Sequence, residues 1–327
     1  MSTPFPTPPA AAPVHAPEPS WARRVLGDFH VTGLVWYRAH RWIVRVLPDW
    51  LAGPAISIAT SVCFLTLFRI RRAIASNLVP VLGPSGWFER QRRIYRTLHA
   101  FGACLTERYQ RLVTDRTFEV EVESMEHWRA VAESGRGFVA ITAHIGLYEV
   151  GSMVPAMKEA RRVHLVREPE VDPRAQAFIR ATVAAVEGAN YTMHFQDGDP
   201  SLGMALVEAL GRGEIVAIQG DRPRSGSRTV DATLFGRPFP LPAGPAALAR
   251  TAEVPILPVF AIREGRRRFR LVFRPPIDVP RTRDRNADLA QATQRIAREI
   301  EGAIRRTPHQ WFVFRELWPD QAGSSVR

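Results

Sequence analysis

The chain has 327 residues, of which 46% are apolar and 23% charged, and only two are cysteines. These proportions are those of an ordinary globular protein and exclude a disordered, collagenous or multi-span membrane chain. Cys63 and Cys104 are too few for a disulfide scaffold or a cysteine-rich zinc site, and both are read as small core residues in a reducing compartment. Against 32 acidic residues stand 44 basic ones, a net charge of +12 that favours anionic partners.

Residues 1–19 hold seven of the 27 prolines among Ala and Thr, a composition that packs no core and reads as a disordered arm. Residues 20–115 read as a basic helical region with 14 Arg against five Asp and Glu. Trp36, Tyr37, Trp42, Ile43, Val46 and Leu47 alternate there with Arg38, Arg41 and Arg45, the pattern of an interfacial amphipathic helix. Nineteen uncharged residues follow, from Trp50 to Phe68. Gly53, Pro54, Ser57, Thr60, Ser61 and Thr66 moderate that run, so it is read as a buried helix, with a membrane span as the alternative. A second helix is predicted from Gly86 to Val113.

From Phe118 onward the texture alternates. Strands are predicted at Phe118–Val122, Phe138–Thr142, Val163–Val166, Tyr191–Phe195, Ile215–Ile218, Ile256–Ala261 and Phe269–Phe273. Helices are expected between them at Met125–Glu133, Leu147–Lys158, Pro173–Val186, Ser201–Arg212 and Gly244–Thr251, with a last one at Ala287–Arg306. The pattern implies an α/β fold with a mixed, mainly parallel sheet of about seven strands flanked by helices. The expected division is 1–19 arm, 20–115 basic amphipathic membrane-docking helices, 116–318 α/β core and 319–327 tail. Arg266, Arg267 and Arg268 are read as a solvated turn between two strands.

Functional groups of open α/β sheets gather at the carboxyl ends of strands. Phe138–Thr142 leads to His144, then Gly146 and Glu149. A spacing of five turns through about 500° on a helix, so the two side chains do not share one helical face. They meet if His144 lies in the turn and Glu149 one turn into a helix, the carboxylate orienting one ring nitrogen and the other serving as general base. The same histidine alone is also what a structural strand end looks like. There is no Gly-x-Ser-x-Gly elbow, no His-Glu-x-x-His and no phosphate-binding Gly-x-x-x-x-Gly-Lys loop. Gln219-Gly220-Asp221-Arg222-Pro223 and Val166-Arg167-Glu168-Pro169 close two further strands. The guanidinium fork of Arg222 suits a phosphate or an acyl carbonyl, and Arg167 stands at an equivalent place.

Thr142-Ala-His-Ile-Gly-Leu-Tyr-Glu149 resembles the His-x4-Asp/Glu signature of the glycerolipid acyltransferase superfamily, and within it the bacterial lipid A biosynthesis acyltransferase family. Arg71–Leu78, Arg167, Leu210–Ile218 with Asp221, Phe235–Phe239, Gly244–Ala249 and Pro308-His-Gln-Trp-Phe312 are similar to that family's segments in order and spacing. The chain departs from its pattern at Leu147-Tyr148, where Asn-Trp is usual, and at Arg222, where Gln is usual. Both departures bear on the acceptor.

The resemblance implies an acyltransferase on the cytoplasmic face of a bacterial inner membrane. It would move a fatty acyl chain from an acyl-carrier-protein or CoA thioester to a hydroxyl of a membrane lipid. Lipid A or a related glycolipid is the first expectation; a lysophospholipid, aminolipid or mannosylated lipid is the second. His144 and Glu149 would be catalytic, and Arg167, Asp221, Arg222 and Gly146 would bind substrate. No metal or redox cofactor is implied. An anionic membrane surface is an expected partner. A basic, non-catalytic membrane-surface protein is the competing class. Nucleic acid is not expected, because the arginines sit among apolar aromatics and no nucleic-acid motif is present.

Overall fold

The computed structural model describes residues 34–114, 116–147, 161–170, 172–187, 190–196, 199, 201–224 and 226–318. The proline-rich arm, most of the expected Leu147–Lys158 helix, Glu149 and the 319–327 tail lie outside the described residues. Four helices come first: α1 (Leu34–Val46), α2 (Asp49–Thr66), α3 (Phe68–Leu82) and α4 (Trp87–Val113). The core follows as β1 (Glu119–Glu123), α5 (Met125–Ala132), β2 (Phe138–Thr142), β3 (Val163–Arg167), α6 (Pro173–Glu187), β4 (Tyr191–Phe195), α7 (Ser201–Gly211) and β5 (Ile215–Gln219). Then come β6 (Thr229–Leu234), β7 (Arg237–Pro242), α8 (Gly244–Ala252), β8 (Ile256–Gly265), β9 (Arg268–Phe273) and α9 (Arg285–Arg306), with a short 3₁₀ turn at Pro308–Gln310.

Seven strands form one sheet in the order β1-β9-β8-β2-β5-β3-β4. β8, β2, β5, β3 and β4 run parallel; β9 is antiparallel to β8, and β1 pairs parallel to β9. All seven expected strands are present, within a few residues of their predicted ends. The β6–β7 hairpin was not expected: Pro238, Pro240 and Pro242 in β7 argue against a strand, but a two-stranded edge leaves their missing N–H groups outside the ladder.

The central strands are buried on both sides, hence their unbroken apolar runs. Val139, Ile141, Val216 and Ile218 face Ile296, Ile300 and Ile304 of α9. Phe138, Ala140, Ile215 and Ala217 face Trp128 and Val131 of α5. β2 and β5 are neighbours, yet the next strand after β2 lies beyond β5 and the next sheet strand after β5 lies beyond β2. Such a divergence opens a crevice at the strands' carboxyl ends.

Two expectations about the helical region are corrected. The run from Trp50 to Phe68 is not a buried helix. Along α2 only Ala52 and Thr60 are buried, while Trp50, Ile58, Val62 and Leu65 are exposed. The helix offers its small and polar side to α4, with Ser57 near His99 and Ser61 near Tyr95. That leaves its large side chains outward. Cys104 is buried as expected, but Cys63 on α2 is only partly so. Nor is the arginine turn simply solvated. Arg266 and Arg267 bind Asp49 at 3.0 and 2.8 Å, and Arg116 binds it at 2.8 Å, tying the start of α2 to the sheet. A second tie is the buried Glu107 of α4, which accepts two hydrogen bonds from Arg263 at 2.8 Å.

Candidate active site

His144 stands two residues past β2, in a turn fixed from both sides. Gly146 has φ +56°, and a side chain there would strike the carbonyl of Ala261. Its N–H donates to the Gln310 carbonyl and the N–H of Leu147 to that of Ala261. From the carboxyl end of the chain, the N–H of Phe312 donates to the His144 carbonyl at 2.8 Å, and Ile145 bridges Trp311. The Gln310 side chain pairs with both backbone groups of Arg263 on β8, which fixes that tail in turn. The Pro-x-Gln-Trp ending therefore holds the histidine turn, a function its sequence did not disclose.

Asp221 lies two residues past β5 and is wholly buried behind the ring. Its carboxylate accepts from His144 Nδ1 at 2.7 Å, from the His144 backbone N–H at 3.2 Å and from the Trp311 indole N–H at 3.0 Å. Burial alone would raise its pKa, but the His144 ring and the Arg222 charge, with the indole N–H, outweigh it and hold the group well below the ordinary carboxylate range. On the other side of the ring, Arg222 donates to Nε2 at 3.0 Å. A guanidinium can only donate, so Nε2 is an acceptor and the proton of the neutral ring is on Nδ1, facing Asp221.

His144, Arg167 and Arg222 line one cavity of about 1440 Å³. Its walls include Tyr37, Phe101, Leu105 and Tyr109 from the helical region and Leu202, Val207 and Leu248 from α7 and α8. Arg167 closes β3 with its guanidinium 3.9 Å from Glu170, and Glu170 also accepts from the Tyr37 hydroxyl at 3.1 Å. Two expected substrate ligands are placed differently. Asp221 has no exposed surface to offer a substrate and serves the ring instead. Gly146 spends its N–H on Gln310, and its place is set by the turn. Trp311 enters the sequence reading only within the Pro308–Phe312 segment, without a role, and nothing in the sequence points to Arg315. Among the described residues no His, Cys, Asp and Glu cluster could hold a metal ion.

The family model of the bacterial lipid A biosynthesis acyltransferases matches residues 23–319. The chain belongs to this family. It is therefore an acyltransferase. Among curated relatives, two phosphatidylinositol mannoside acyltransferases of Mycobacterium tuberculosis, from strains CDC 1551 / Oshkosh and H37Rv, are each 23% identical over 306 residues. The alignments cover 90% of this chain and 92% of each relative. Among solved structures, the 1-acyl-sn-glycerophosphate (LPA) acyltransferase PlsC of Thermotoga maritima is 13% identical, covering 80% of this chain and 100% of that one with a TM-score of 0.35.

Proposed function

We propose that this acyltransferase moves a fatty acyl chain from a CoA or acyl-carrier-protein thioester to a sugar hydroxyl of a phosphate-bearing membrane glycolipid. The observation that carries the reading is the ring of His144, tied through Nδ1 to the buried Asp221 with Nε2 turned to the cavity. The acceptor hydroxyl takes the place of Arg222 at Nε2 and gives its proton to the ring as its oxygen attacks the thioester carbonyl. The new C–O bond forms, the C–S bond breaks, and the imidazolium returns the proton to the departing thiolate. Arg222, displaced by the hydroxyl, is freed to bind a phosphate of one of the substrates. Arg167 binds phosphate. Glu149 is proposed as a second carboxylate that stabilises the imidazolium. The mannosylated lipid in the relatives' names favours a glycolipid acceptor over a lysophospholipid or aminolipid.

The exposed aromatic and aliphatic side chains of α1 and α2, with Arg38, Arg45, Arg69 and Arg72 nearby, support docking on an anionic membrane surface at the cytoplasmic face. Among the described residues α2 is the one helix long and apolar enough to span a bilayer. The test is transfer from a radiolabelled acyl thioester to a panel of a lipid A precursor, a phosphatidylinositol mannoside, a lysophospholipid and an aminolipid. Label in a glycolipid is expected; label confined to the lysophospholipid or aminolipid would overturn the acceptor assignment.

A further inference from the structure

Arg315 has no part in the chemistry above, yet it lines the same cavity as His144 and Arg222. Its guanidinium donates to the carbonyl of Pro223, the residue next to Arg222. Among the described residues, neither Arg222 nor Arg315 has a carboxylate within ion-pair distance. Burial and the charge of Arg222 lower the pKa of Arg315, and the charges of Glu168 and Asp221 only partly oppose them. Two like charges held together at the wall of a cavity are an arrangement that an anion relieves.

The fold works to keep Arg315 there. Asn77 of α3 is buried and spends its whole amide on the segment around it. Its Nδ2 donates to the carbonyls of Val313 at 3.1 Å and Arg315 at 2.8 Å, and its Oδ1 accepts from the N–H of Leu317 at 3.0 Å. Arg72 of the same helix adds an ion pair to Glu316 at 2.8 Å. An arginine that served solubility alone would need no such clamp.

We infer that Arg315 and Arg222 form a two-guanidinium seat for a phosphate group of one of the two substrates, with Asn77 as its positioning residue. The inference deepens the acyl-transfer reading and rests on it for the phosphate's identity. A phosphate belonging to the acceptor headgroup and one belonging to the CoA or phosphopantetheine donor offer the same chemistry.

The test is a double difference in binding, which needs no turnover. Dissociation constants of full-length wild type, Arg315→Ala and Arg315→Lys are measured by calorimetry for two ligand pairs. One pair is a decanoyl-CoA thioester analogue with a non-hydrolysable linkage and the matching phosphate-free acyl-pantetheine. The other is a micellar short-chain phosphatidylinositol mannoside and the matching mannosyl diacylglycerol. Arg315→Ala is expected to weaken the phosphate-bearing member of one pair about tenfold or more, the scale of one charge-assisted hydrogen bond, and to leave its phosphate-free partner unchanged. The pair affected names the source. Arg315→Lys, which keeps the charge without the fork, should fall between. Equal weakening within both pairs would reduce Arg315 to a prop for the Pro223 loop and overturn the seat. So would unchanged binding of all four ligands by a folded variant. Should wild type bind these ligands but transfer no acyl group to any lipid, the acyl-acceptor reading would fail while the seat survived.

Discussion

At the back of the cavity Asp221 is wholly buried, and both its oxygens are matched to named donors on His144 and Trp311. On α2, fewer than 20 Å of chain carries Trp50, Ile58 and Val62 on the outside, with 74%, 67% and 56% of their surface exposed. In one place a buried carboxylate has both oxygens matched; in the other apolar surface is left unmatched. A buried carboxylate is costly unless every lone pair is satisfied, so the histidine site is held in one arrangement by several segments distant in sequence. Large exposed apolar patches on a folded chain mark a surface that something else covers. The site is thus built for chemistry that needs fixed geometry, and the helical surface suits the membrane contact proposed above.

The comparison breaks most sharply at Asp221. Asp221→Asn leaves the shape but removes the charge that fixes the Nδ1–H tautomer, and turnover should fall at least about a hundredfold. Glu149→Gln is expected to cost less, since Asp221 already holds Nδ1. Steady-state rates of the two purified variants decide; a larger loss for Glu149→Gln would give the orienting role to Glu149.

Next in size is the effect on membrane binding. A Trp50→Ser/Ile58→Ser/Leu65→Ser variant removes three exposed apolar side chains, each worth roughly 1.5–3 kcal/mol when buried in an apolar phase. Its binding to anionic vesicles in flotation should fall by more than tenfold with an unchanged melting temperature. Equal flotation would mean that the patch is covered by something other than lipid.

Asn77→Ala tests the junction of the two regions. It removes three hydrogen bonds, at about 1 kcal/mol each net, and should lower unfolding free energy by about 2–4 kcal/mol in urea titrations. A change below about 0.5 kcal/mol would show that the tail holds itself.

The smallest effect is on acid stability. Burial, with the charges of Arg96 and Arg93, lowers the pKa of His309 to about 4, and burial also lowers those of His40 and His99. In the unfolded chain these rings titrate near 6.5. Below that pH the unfolded state takes up protons that the folded state refuses, so stability falls as pH drops from about 6.5 toward 4. All three histidines lie on α1, α4 or the 3₁₀ turn against α4. Hydrogen exchange at pH 5 should therefore open the helical region before β2 and β5, and His309→Gln should shrink that difference. Simultaneous opening of both regions would contradict it.

The legibility of the sequence differed between the same two regions. Strands buried on both faces write themselves as apolar runs, so β2, β3 and β5 and the residues at their ends could be read directly. That His144, Arg167 and Arg222 share a cavity followed from their common place at strand ends. That Asp221 is a partner of His144 could not be read, because it is 77 residues away and only the pairing of β2 with β5 brings it near. Local spacing points to Glu149, which lies outside the described residues. The burial of α2 was misjudged for a related reason: its serines and threonines suggested a helix moderated for a protein core, whereas they form the side that meets α4. Composition tells how apolar a helix is, not which side its neighbour takes. Arg315 was invisible because its position depends on Asn77, more than 200 residues earlier.

The most direct test of the account is mass spectrometry of total lipids from cells that lack the gene, complemented with wild type or with His144→Ala at matched protein levels. Loss of the ring removes the base and also one partner of the buried Asp221, so protein levels are matched before the lipids are compared. General-base catalysis is worth about 10²–10⁴-fold. The account predicts a glycolipid that gains one acyl chain with wild type and not with His144→Ala. A His144→Ala protein that restores the acylated lipid to the wild-type level would contradict it.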